Sequence, residues 1–360
     1  MVTRSKNKHI QDSAEKNWFA RHKITAFFIL IFMGVAIPLL LLEIGSYIFG
    51  TFPVAPDPLI TEQHERWTNL REFDPLLFWR LKSSLNRGVI ETNSKGLRSP
   101  EVPRKKKNEF RILSLGESTT FGLGIKYENT YSALIESDLK SLNKKPLRVI
   151  NGGVSGYTLF QGYTYLRYRG IKLKPDAVMI YFGYNDFLQV AFLGKRDALS
   201  SEGTAGLNDW ELFDQRQNFF RKTSVFLAQH SNFVRGIKSL FRRDIDPQAV
   251  REHGEKVRVP HDHRLKLLKM FQDLCQENEI LFIIIVPWYL HFTEHAPLLR
   301  EFAEQNDIPI IDLPQKLMGL PQLKESYFRD RLHPTPRGHE LIAEAIEKKL
   351  LKLWPETIIK

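Results

Sequence analysis

The sequence is poor in cysteine and in the motifs that bind nucleotides. Cys275 is the only cysteine among 360 residues, so no intrachain disulfide can form and a zinc site built from several thiolates is excluded. Neither a Walker A motif nor a G-x-G-x-x-G motif occurs, so no motif indicates nucleotide binding. Lysine and arginine outnumber the acidic residues by 52 to 41, and the net charge is +11. Such a charge suits nucleic acid, a membrane surface or an anionic polymer.

One long hydrophobic run without charge is present, at residues 24–42. As a helix this run would span about 28 Å, close to the hydrocarbon thickness of a bilayer. A buried core helix and a cleaved signal peptide are the alternatives. The apolar part of a signal peptide is shorter, and no small-residue cleavage motif follows the run. Pro38 is tolerated in membrane helices, and we expect an uncleaved membrane anchor.

The charges that flank this run predict its orientation. Residues 43–63 contain no lysine or arginine, whereas the segment before the run is basic. Its basic residues are Arg4, Lys6, Lys8, Lys16, Arg21 and Lys23. By the positive-inside rule the N-terminus is expected in the cytoplasm and the rest of the chain outside it. A nucleic-acid partner is therefore not expected, despite the net charge.

Short apolar runs alternate with helical patterns after residue 108. The runs suit strands that are buried on both faces of a parallel sheet, and they lie at residues 112–115, 147–150, 177–182, 280–286 and 308–311. Helical spacing is found at residues 129–142 and 264–279, and Cys275 falls on the apolar face of the second helix. The pattern predicts a doubly wound α/β domain, with functional residues where its strands end.

The chain is predicted to have four parts. Residues 1–23 form a cytoplasmic tail, 24–48 a transmembrane anchor, 49–108 a linker with an N-terminal extension, and 109–355 the α/β domain. Residues 187–260 interrupt the strand–helix alternation and are too long for an ordinary connection. We expect a helical insertion there, amphipathic at residues 223–241, which is either a cap beside the functional edge or an extra packing layer.

Two motifs at strand ends offer groups for acyl chemistry. Gly116-Glu117-Ser118 follows the first run, and a serine at such a strand-to-helix turn suits a nucleophile whose intermediate carries an oxyanion. Residues 151–156 follow the second run, and the N–H of Gly156 could face the same oxyanion, although a simple turn is the alternative. Ser155 is a weaker nucleophile candidate, because Tyr157 breaks the G-x-S-x-G pattern.

Two further motifs supply complementary groups. Asn185 lies in Gly183-Tyr184-Asn185-Asp186 after the third run, and its amide can donate to an oxyanion, while Asp186 is expected to be structural. Asp330 precedes His333 by three residues, so its carboxylate can turn back to the imidazole and fix the tautomer. Each motif is weak alone, but their order, their strand context and their complementary roles together point to one site.

In these motifs the chain resembles the SGNH, or GDSL-type, serine hydrolases, over about residues 110–349. The resemblance implies a flavodoxin-like three-layer α/β/α fold with a mainly parallel five-stranded sheet, preceded by the one transmembrane helix. It implies that Ser118 is the nucleophile, that His333 is the general base and that Asp330 orients it. It also implies an oxyanion hole formed by the N–H groups of Ser118 and Gly156 and by the Asn185 amide.

The chain departs from the family at Glu117, where members usually have aspartate. This acid does not transfer protons in the implied mechanism, so activity is expected to survive, with a changed geometry of the loop. The stretch at residues 93–110, which begins Asn93-Ser94-Lys95-Gly96-Leu97-Arg98, resembles a segment found before the domain in membrane-anchored bacterial members. No cofactor is expected, and no metal, because His261 and His263 do not face each other on a helix. His339, in the last helix, is expected to be exposed.

The sequence therefore predicts a membrane-anchored, extracytoplasmic serine esterase, in the bacterial inner membrane if the source is bacterial. Its substrates are expected to be acyl esters, mainly O-acetyl esters, of glycans or lipids. Two alternatives stay open: an O-acyltransferase for surface polysaccharide that uses the same site, and a non-catalytic protein that binds glycans or assists their assembly. The sequence leaves the oligomeric state open.

Overall fold

A computed structural model of the chain describes residues 22–48, 70–142, 146–188, 207–217, 256–317 and 324–354. The chain divides into two compact units. Residues 1–58 and 218–243 belong to the first unit, and residues 59–217 and 244–360 belong to the second. Residues 223–241, predicted to be amphipathic, lie outside the described residues, as does the tail at residues 1–21.

The described part of the first unit is one helix, α1 (Lys23–Ile48), which contains the predicted hydrophobic run and Pro38. Its segment Lys23–Gly45 has a mean hydropathy of 2.7, and only 6% of its most apolar stretch is buried. Within the described residues it is the one helix long and apolar enough to cross a membrane, although a signal sequence has the same properties. Apolar side chains such as Phe28 and Phe32 are exposed around it, which suits lipid better than water.

Two short antiparallel hairpins open the second unit. Strand β1 (Arg71–Asp74) pairs with β2 (Phe78–Leu81), and β3 (Asn86–Arg87) pairs with β4 (Ile90–Glu91). Sequence patterns did not reveal these strands, because segments of two to four residues are too short to show a clear alternation. Buried side chains of the first hairpin, including Leu77 and Trp79, belong to the same hydrophobic core as the main sheet.

The central sheet has five parallel strands in the order β6-β5-β7-β8-β9. They are β5 (Phe110–Gly116), β6 (Leu147–Gly153), β7 (Ala177–Tyr181), β8 (Leu281–Val286) and β9 (Ile310–Asp312). Each strand lies at one of the predicted runs, which confirms the five-stranded parallel sheet. The register pairs Gly116 with both Gly153 and Tyr181, so the first three motifs begin at one edge of the sheet.

Nine helices of the second unit lie within the described residues. They are α2 (Ser118–Phe121), α3 (Tyr131–Leu142), α4 (Leu159–Tyr165), α5 (Asp209–Gln217), α6 (His261–Glu277), α7 (Ala296–Gln305), α8 (Leu313–Lys316), α9 (Lys324–Tyr327) and α10 (Pro336–Leu353). The predicted helices at residues 129–142 and 264–279 correspond to α3 and α6. Thr335 begins α10 by accepting a hydrogen bond from Gly338 N–H, as N-cap residues do.

Alternate residues of the strands pack on opposite faces of the sheet, and this produces three layers. Leu113 of β5 faces the cluster that includes residues of α4, α6 and α7, and Ile112 faces the cluster that includes α3 and α10. Cys275 lies fully buried in the first cluster, as predicted for a core residue. The strand order and the two helical layers confirm the flavodoxin-like α/β/α fold.

The predicted insertion at residues 187–260 is described only at its ends and at α5. Helix α5 and the final residues of the insertion are joined by a buried ion pair, with 3.0 Å between Arg258 Nη2 and Asp209 Oδ2. Asp209 also accepts a hydrogen bond of 2.6 Å from Thr158 Oγ1, just before α4. The described parts of the insertion are therefore anchored to the segment that follows β6.

Candidate active site

Ser118 is the first residue of α2 and follows β5 after one intervening residue, Glu117. The first N–H groups of a helix have no intrahelical acceptor, and none is found for Ser118 N–H among the described residues. The end of β6 packs closely on this helix, since a Cβ at Gly153 would lie 2.3 Å from Phe121 N. Glycine at this position therefore lets the nucleophile turn and β6 come together.

A continuous chain of hydrogen bonds joins Asp330, His333 and Ser118. The distance from His333 Nε2 to Ser118 Oγ is 2.9 Å, and that from His333 Nδ1 to Asp330 Oδ2 is 2.7 Å. Asp330 Oδ1 accepts from the backbone N–H groups of Leu332 and His333, at 2.8 and 2.9 Å. The structure thus brings the predicted pair Asp330 and His333 against Ser118, which lies 215 residues before His333 in the sequence.

The hydrogen bonds to Asp330 set the roles of the two imidazole nitrogens. Partial burial alone would raise the pKa of Asp330, but hydrogen bonds from the His333 side chain and from the N–H groups of Leu332 and His333 lower it. An ionised Asp330 can only accept, so Nδ1 of His333 carries a proton. Nε2 is then free to accept from the Ser118 hydroxyl, which is the arrangement of a general base.

The loop that carries His333 is fixed on both sides. Arg329 N–H donates to His333 O at 2.8 Å, and Leu290 N–H, after β8, donates to Arg331 O at 2.9 Å. The hydroxyl of Thr119 donates to Leu332 O at 3.3 Å, so the loop is also bonded directly to α2. These contacts hold the imidazole against the nucleophile turn.

Asn185 contacts the nucleophile turn, and Gly156 lies in the loop that follows β6. Gly156 has a φ of +84°, which favours glycine, and its N–H has no acceptor among the described residues. Asn185 Nδ2 donates to Glu117 Oε2, which precedes Ser118, and to Tyr157 O, which follows Gly156, at 2.5 and 3.1 Å. Both hydrogens of this amide therefore have protein acceptors in the structure.

Glu117 is buried at the centre of this edge. Its carboxylate accepts hydrogen bonds from the Tyr289 hydroxyl and from Asn185 N–H, the second at 3.2 Å. Burial raises the pKa of Glu117 to about 8, against the hydrogen bond from Tyr289, while nearby Asp186 adds a further increase. Sequence reasoning missed Tyr289, because it follows β8 in a loop without a motif, and only its place at a strand end pointed to it.

Asp186 is buried and accepts a hydrogen bond of 2.9 Å from Leu159 N–H at the start of α4. This contact agrees with the structural role expected for it. His339 is only 1% exposed, so its predicted exposure was wrong. Its Nδ1 accepts from Tyr131 N–H at 3.2 Å, because α10 packs this face against the start of α3. Charged neighbours in the sequence concealed that packing.

The fold and this hydrogen-bonded chain define the class: an α/β protein with the site geometry of a serine hydrolase. A sequence model of the GDSL-like lipase/acylhydrolase family matches residues 114–341, which is well over half of the chain. The chain belongs to this family and is an ester-bond hydrolase. Ser118, Asn185 and His333 all lie within the matched residues.

Solved structures of G-D-S-L and esterase proteins are similar in fold. A G-D-S-L family protein from Desulfitobacterium hafniense DCB-2 is 17% identical, with 66% of this chain and 98% of that chain covered and a TM-score of 0.40. The acetylxylan esterase Axe2 from Geobacillus stearothermophilus is 18% identical, with coverage of 68% and 96% and a TM-score of 0.40. A two-domain esterase active on acetylated mannans is 18% identical, with coverage of 69% and 51% and a TM-score of 0.41. The chain matches none of the curated proteins compared with it.

Proposed function

We propose that the protein is a serine esterase in which Ser118 is the nucleophile, His333 the general base and Asp330 the residue that orients the imidazole. The observation that supports this most strongly is the unbroken hydrogen-bond chain from Asp330 through His333 to Ser118. The second support is the position of Ser118 at a helix start, where its N–H has no acceptor among the described residues. In the proposed reaction this N–H donates to the oxyanion.

In the proposed reaction, His333 Nε2 takes the hydroxyl proton as Ser118 Oγ attacks the ester carbonyl carbon. The resulting oxyanion is stabilised by the N–H groups of Ser118 and Gly156, and by Asn185 when one amide hydrogen turns from its protein acceptor. Collapse breaks the bond to the alcohol, which leaves with the proton from His333. Water, activated by His333, then attacks the acyl-enzyme, releases the acid and regenerates Ser118.

The proposed substrate class is an acyl ester, mainly an O-acetyl ester, on a glycan, with lipid esters as the second class. A net charge of +11 suits an anionic polymer as the carrier of the ester. Transfer to a sugar hydroxyl uses the same acyl-enzyme and differs only in the acceptor that replaces water. An assay with acetylated glycans, with and without a second sugar, separates hydrolysis from transfer.

We also propose that α1 anchors the protein, with its N-terminus in the cytoplasm and the catalytic unit outside. Its hydropathy, its exposed apolar side chains and the basic flank before it support this orientation. Fusion of alkaline phosphatase to the C-terminus should give an active reporter, and fusion of green fluorescent protein a dark one. The reverse pair of results would contradict the orientation.

Active-site labelling tests the catalytic assignment. The full-length protein in detergent is treated with a fluorophosphonate, and the adduct is mapped by mass spectrometry. We expect an adduct on Ser118 that is lost in Ser118→Ala and strongly slowed in His333→Ala. Ser155→Ala, at the neighbouring loop, is the matched control and should label like the wild type. A folded protein without an adduct would instead favour the non-catalytic alternative.

A further inference from the structure

The peptide between Ser155 and Gly156 supplies the Gly156 N–H that the proposed reaction places beside the oxyanion. Its carbonyl oxygen, Ser155 O, accepts a hydrogen bond of 2.5 Å from Arg71 Nη2. In a trans peptide the C=O and N–H groups lie in one plane and point in opposite directions. A donor fixed on the oxygen therefore also fixes the direction in which the N–H points.

This peptide is the central peptide of a four-residue turn, residues 154–157. Tyr157 N–H donates to Val154 O at 3.1 Å, and Gly156, the third residue of the turn, has a φ of +84°. These are the features of a type II turn. Glycine can also adopt the negative φ of a type I turn, in which the central peptide is turned over. In that form Gly156 N–H would point away from its present direction.

Two guanidinium groups hold the turn in its present form. Arg71 binds Ser155 O, and Arg258 Nη1 donates to the next carbonyl, Gly156 O, at 2.7 Å. Both guanidinium carbons lie over the ring of Trp79, at 5.2 and 5.6 Å from its centroid. Trp79 is bonded to the same segment, because its carbonyl accepts from the Tyr157 hydroxyl at 2.8 Å. The first hairpin thus supports the turn directly.

A cation on Ser155 O does more than orient the peptide. Charge-assisted hydrogen bonds are stronger than neutral ones, and hydrogen bonds in a chain polarise one another. A guanidinium on the carbonyl oxygen draws electron density from the amide and makes its N–H a stronger donor. A stronger donor matters most when negative charge develops on the substrate oxygen, which is in the transition state.

We propose that Arg71 is a positioning residue: it holds the Ser155–Gly156 peptide so that Gly156 N–H faces the oxyanion, and it polarises that N–H. The inference rests on the proposed function, because it takes Gly156 N–H to be an oxyanion donor. Arg71 lies in β1, before residues 114–341 that match the family. The proposed contact therefore comes from a hairpin outside the segment that matches the family.

The kinetic test compares Arg71→Ala and Arg71→Lys with Arg80→Ala in the full-length protein. Arg80 is 42% exposed in the same hairpin, where it pairs with Glu72, and serves as the matched control. With p-nitrophenyl acetate, Arg71→Ala should lower kcat by about 10-fold to 100-fold, less than the loss of a whole oxyanion donor. KM should stay within about twofold, since the ground state gains little from this N–H.

If Arg71 is a positioning residue, the activity lost in Arg71→Ala should be recovered in two ways. Arg71→Lys should regain part of kcat, and added methylguanidine should raise kcat of Arg71→Ala but not of Arg80→Ala. An Arg71→Ala variant with wild-type kcat, or with its defect confined to KM, would overturn the proposal. So would a lower melting temperature with no methylguanidine recovery, because that result indicates a purely structural role.

Crystal structures of the wild type and of Arg71→Ala test the orientation without any turnover. We expect the Ser155–Gly156 peptide to be turned over, or present in two orientations, in Arg71→Ala alone. An unchanged peptide in that variant contradicts the proposal even if the enzyme is active. A wild type that neither turns over nor labels at Ser118 contradicts the proposed function instead, while the crystal comparison still decides the role of Arg71 in positioning.

Discussion

Glu117 joins the nucleophile turn to two other strand ends through one carboxyl group. It precedes Ser118, and its oxygens accept from Asn185, which follows β7, and from Tyr289, which follows β8. The resemblance to the family leads one to expect aspartate here, which is shorter by one methylene group. In this chain the buried glutamate side chain reaches both partners, so one carboxyl group links three strand ends.

Replacement of Glu117 by glutamine should therefore impair catalysis more than binding. Above about pH 8, where Glu117 is ionised, both of its oxygens accept, whereas glutamine presents an NH2 group in place of one of them. At pH 9 we expect Glu117→Gln to lower kcat by about 10-fold to 100-fold, as misplaced catalytic groups do. Tyr289→Phe removes one donor and leaves the contact with Asn185, so its loss should be smaller. Equal losses would show that Asn185 is not what Glu117 positions.

Asp330 is a second residue whose role in catalysis can be tested by substitution. Its side chain is 56% exposed, so solvent weakens its interaction with His333. Asp330→Asn should still lower kcat, by about 100-fold, because an amide nitrogen facing Nδ1 would favour the wrong imidazole tautomer. Steady-state kinetics on p-nitrophenyl acetate measure the change. Asp307→Asn, in a distant loop, is the control, and a wild-type rate in Asp330→Asn would exclude it as the orienting residue.

Among the helices, α2 depends strongly on contacts from outside it. A helix of four residues is too short to be stable alone, and α2 is held from outside by Arg98. The Arg98 guanidinium is fully buried and donates to the carbonyl groups of Phe121, Gly122 and Ile125, which end α2 and the loop after it. Burial lowers the pKa of Arg98 to about 10, so it stays charged at neutral pH.

Arg98→Lys should destabilise the protein by about 1–3 kcal/mol, because a single ammonium group cannot reach all the carbonyl groups that the planar guanidinium serves. The free energy of unfolding from urea denaturation measures this change. Arg80→Lys, at a partly exposed arginine, should lie within about 0.5 kcal/mol of the wild type. An Arg98→Lys variant as stable as that control would show that α2 does not need this support.

The protein buries histidines whose protonation opposes folding and carboxyl groups whose ionisation opposes folding. Burial lowers the pKa of His295 to about 4 and that of His339 to about 3. Burial also raises the pKa of Glu117 to about 8 and that of Asp186 to about 7. The histidines reduce stability as the pH falls, and the carboxyl groups reduce it as the pH rises, so their effects on the total partly cancel.

Substitution of His339 isolates the contribution of one buried histidine to the pH dependence of stability. Below about pH 6.5 the unfolded chain protonates His339 while the folded chain does not, so the wild type loses about 1.4 kcal/mol per pH unit from this group. His339→Gln lacks that loss, and the stability advantage of the wild type should shrink as the pH is lowered from 7 to 5. Urea denaturation at both values checks this. A difference that is constant with pH would contradict it, and His261→Gln, at an exposed histidine, is the control.

Much of the fold could be predicted because its signals are local. Each strand of the sheet is an apolar run, and burial on both faces of a parallel sheet requires such runs. The two helices that were predicted have an apolar face with helical spacing, and α1 contains a long uncharged run at residues 24–42. The candidate residues of the site stood out because each follows a strand or precedes a helix, where a parallel sheet gathers functional groups.

Hydropathy and short motifs along the chain were enough to predict where the strands lie in the sequence, the hydrophobic helix and the candidate triad. Each of these depends on residues that are neighbours in the chain. Contacts between distant segments determined the remaining features. These are the burial of His339 against α3, the hydrogen bond from Tyr289 to Glu117, and the hydrogen bond from Arg71 to the Ser155–Gly156 peptide. Such contacts leave no periodic trace in the sequence. They depend on which surfaces meet when the strands and helices pack.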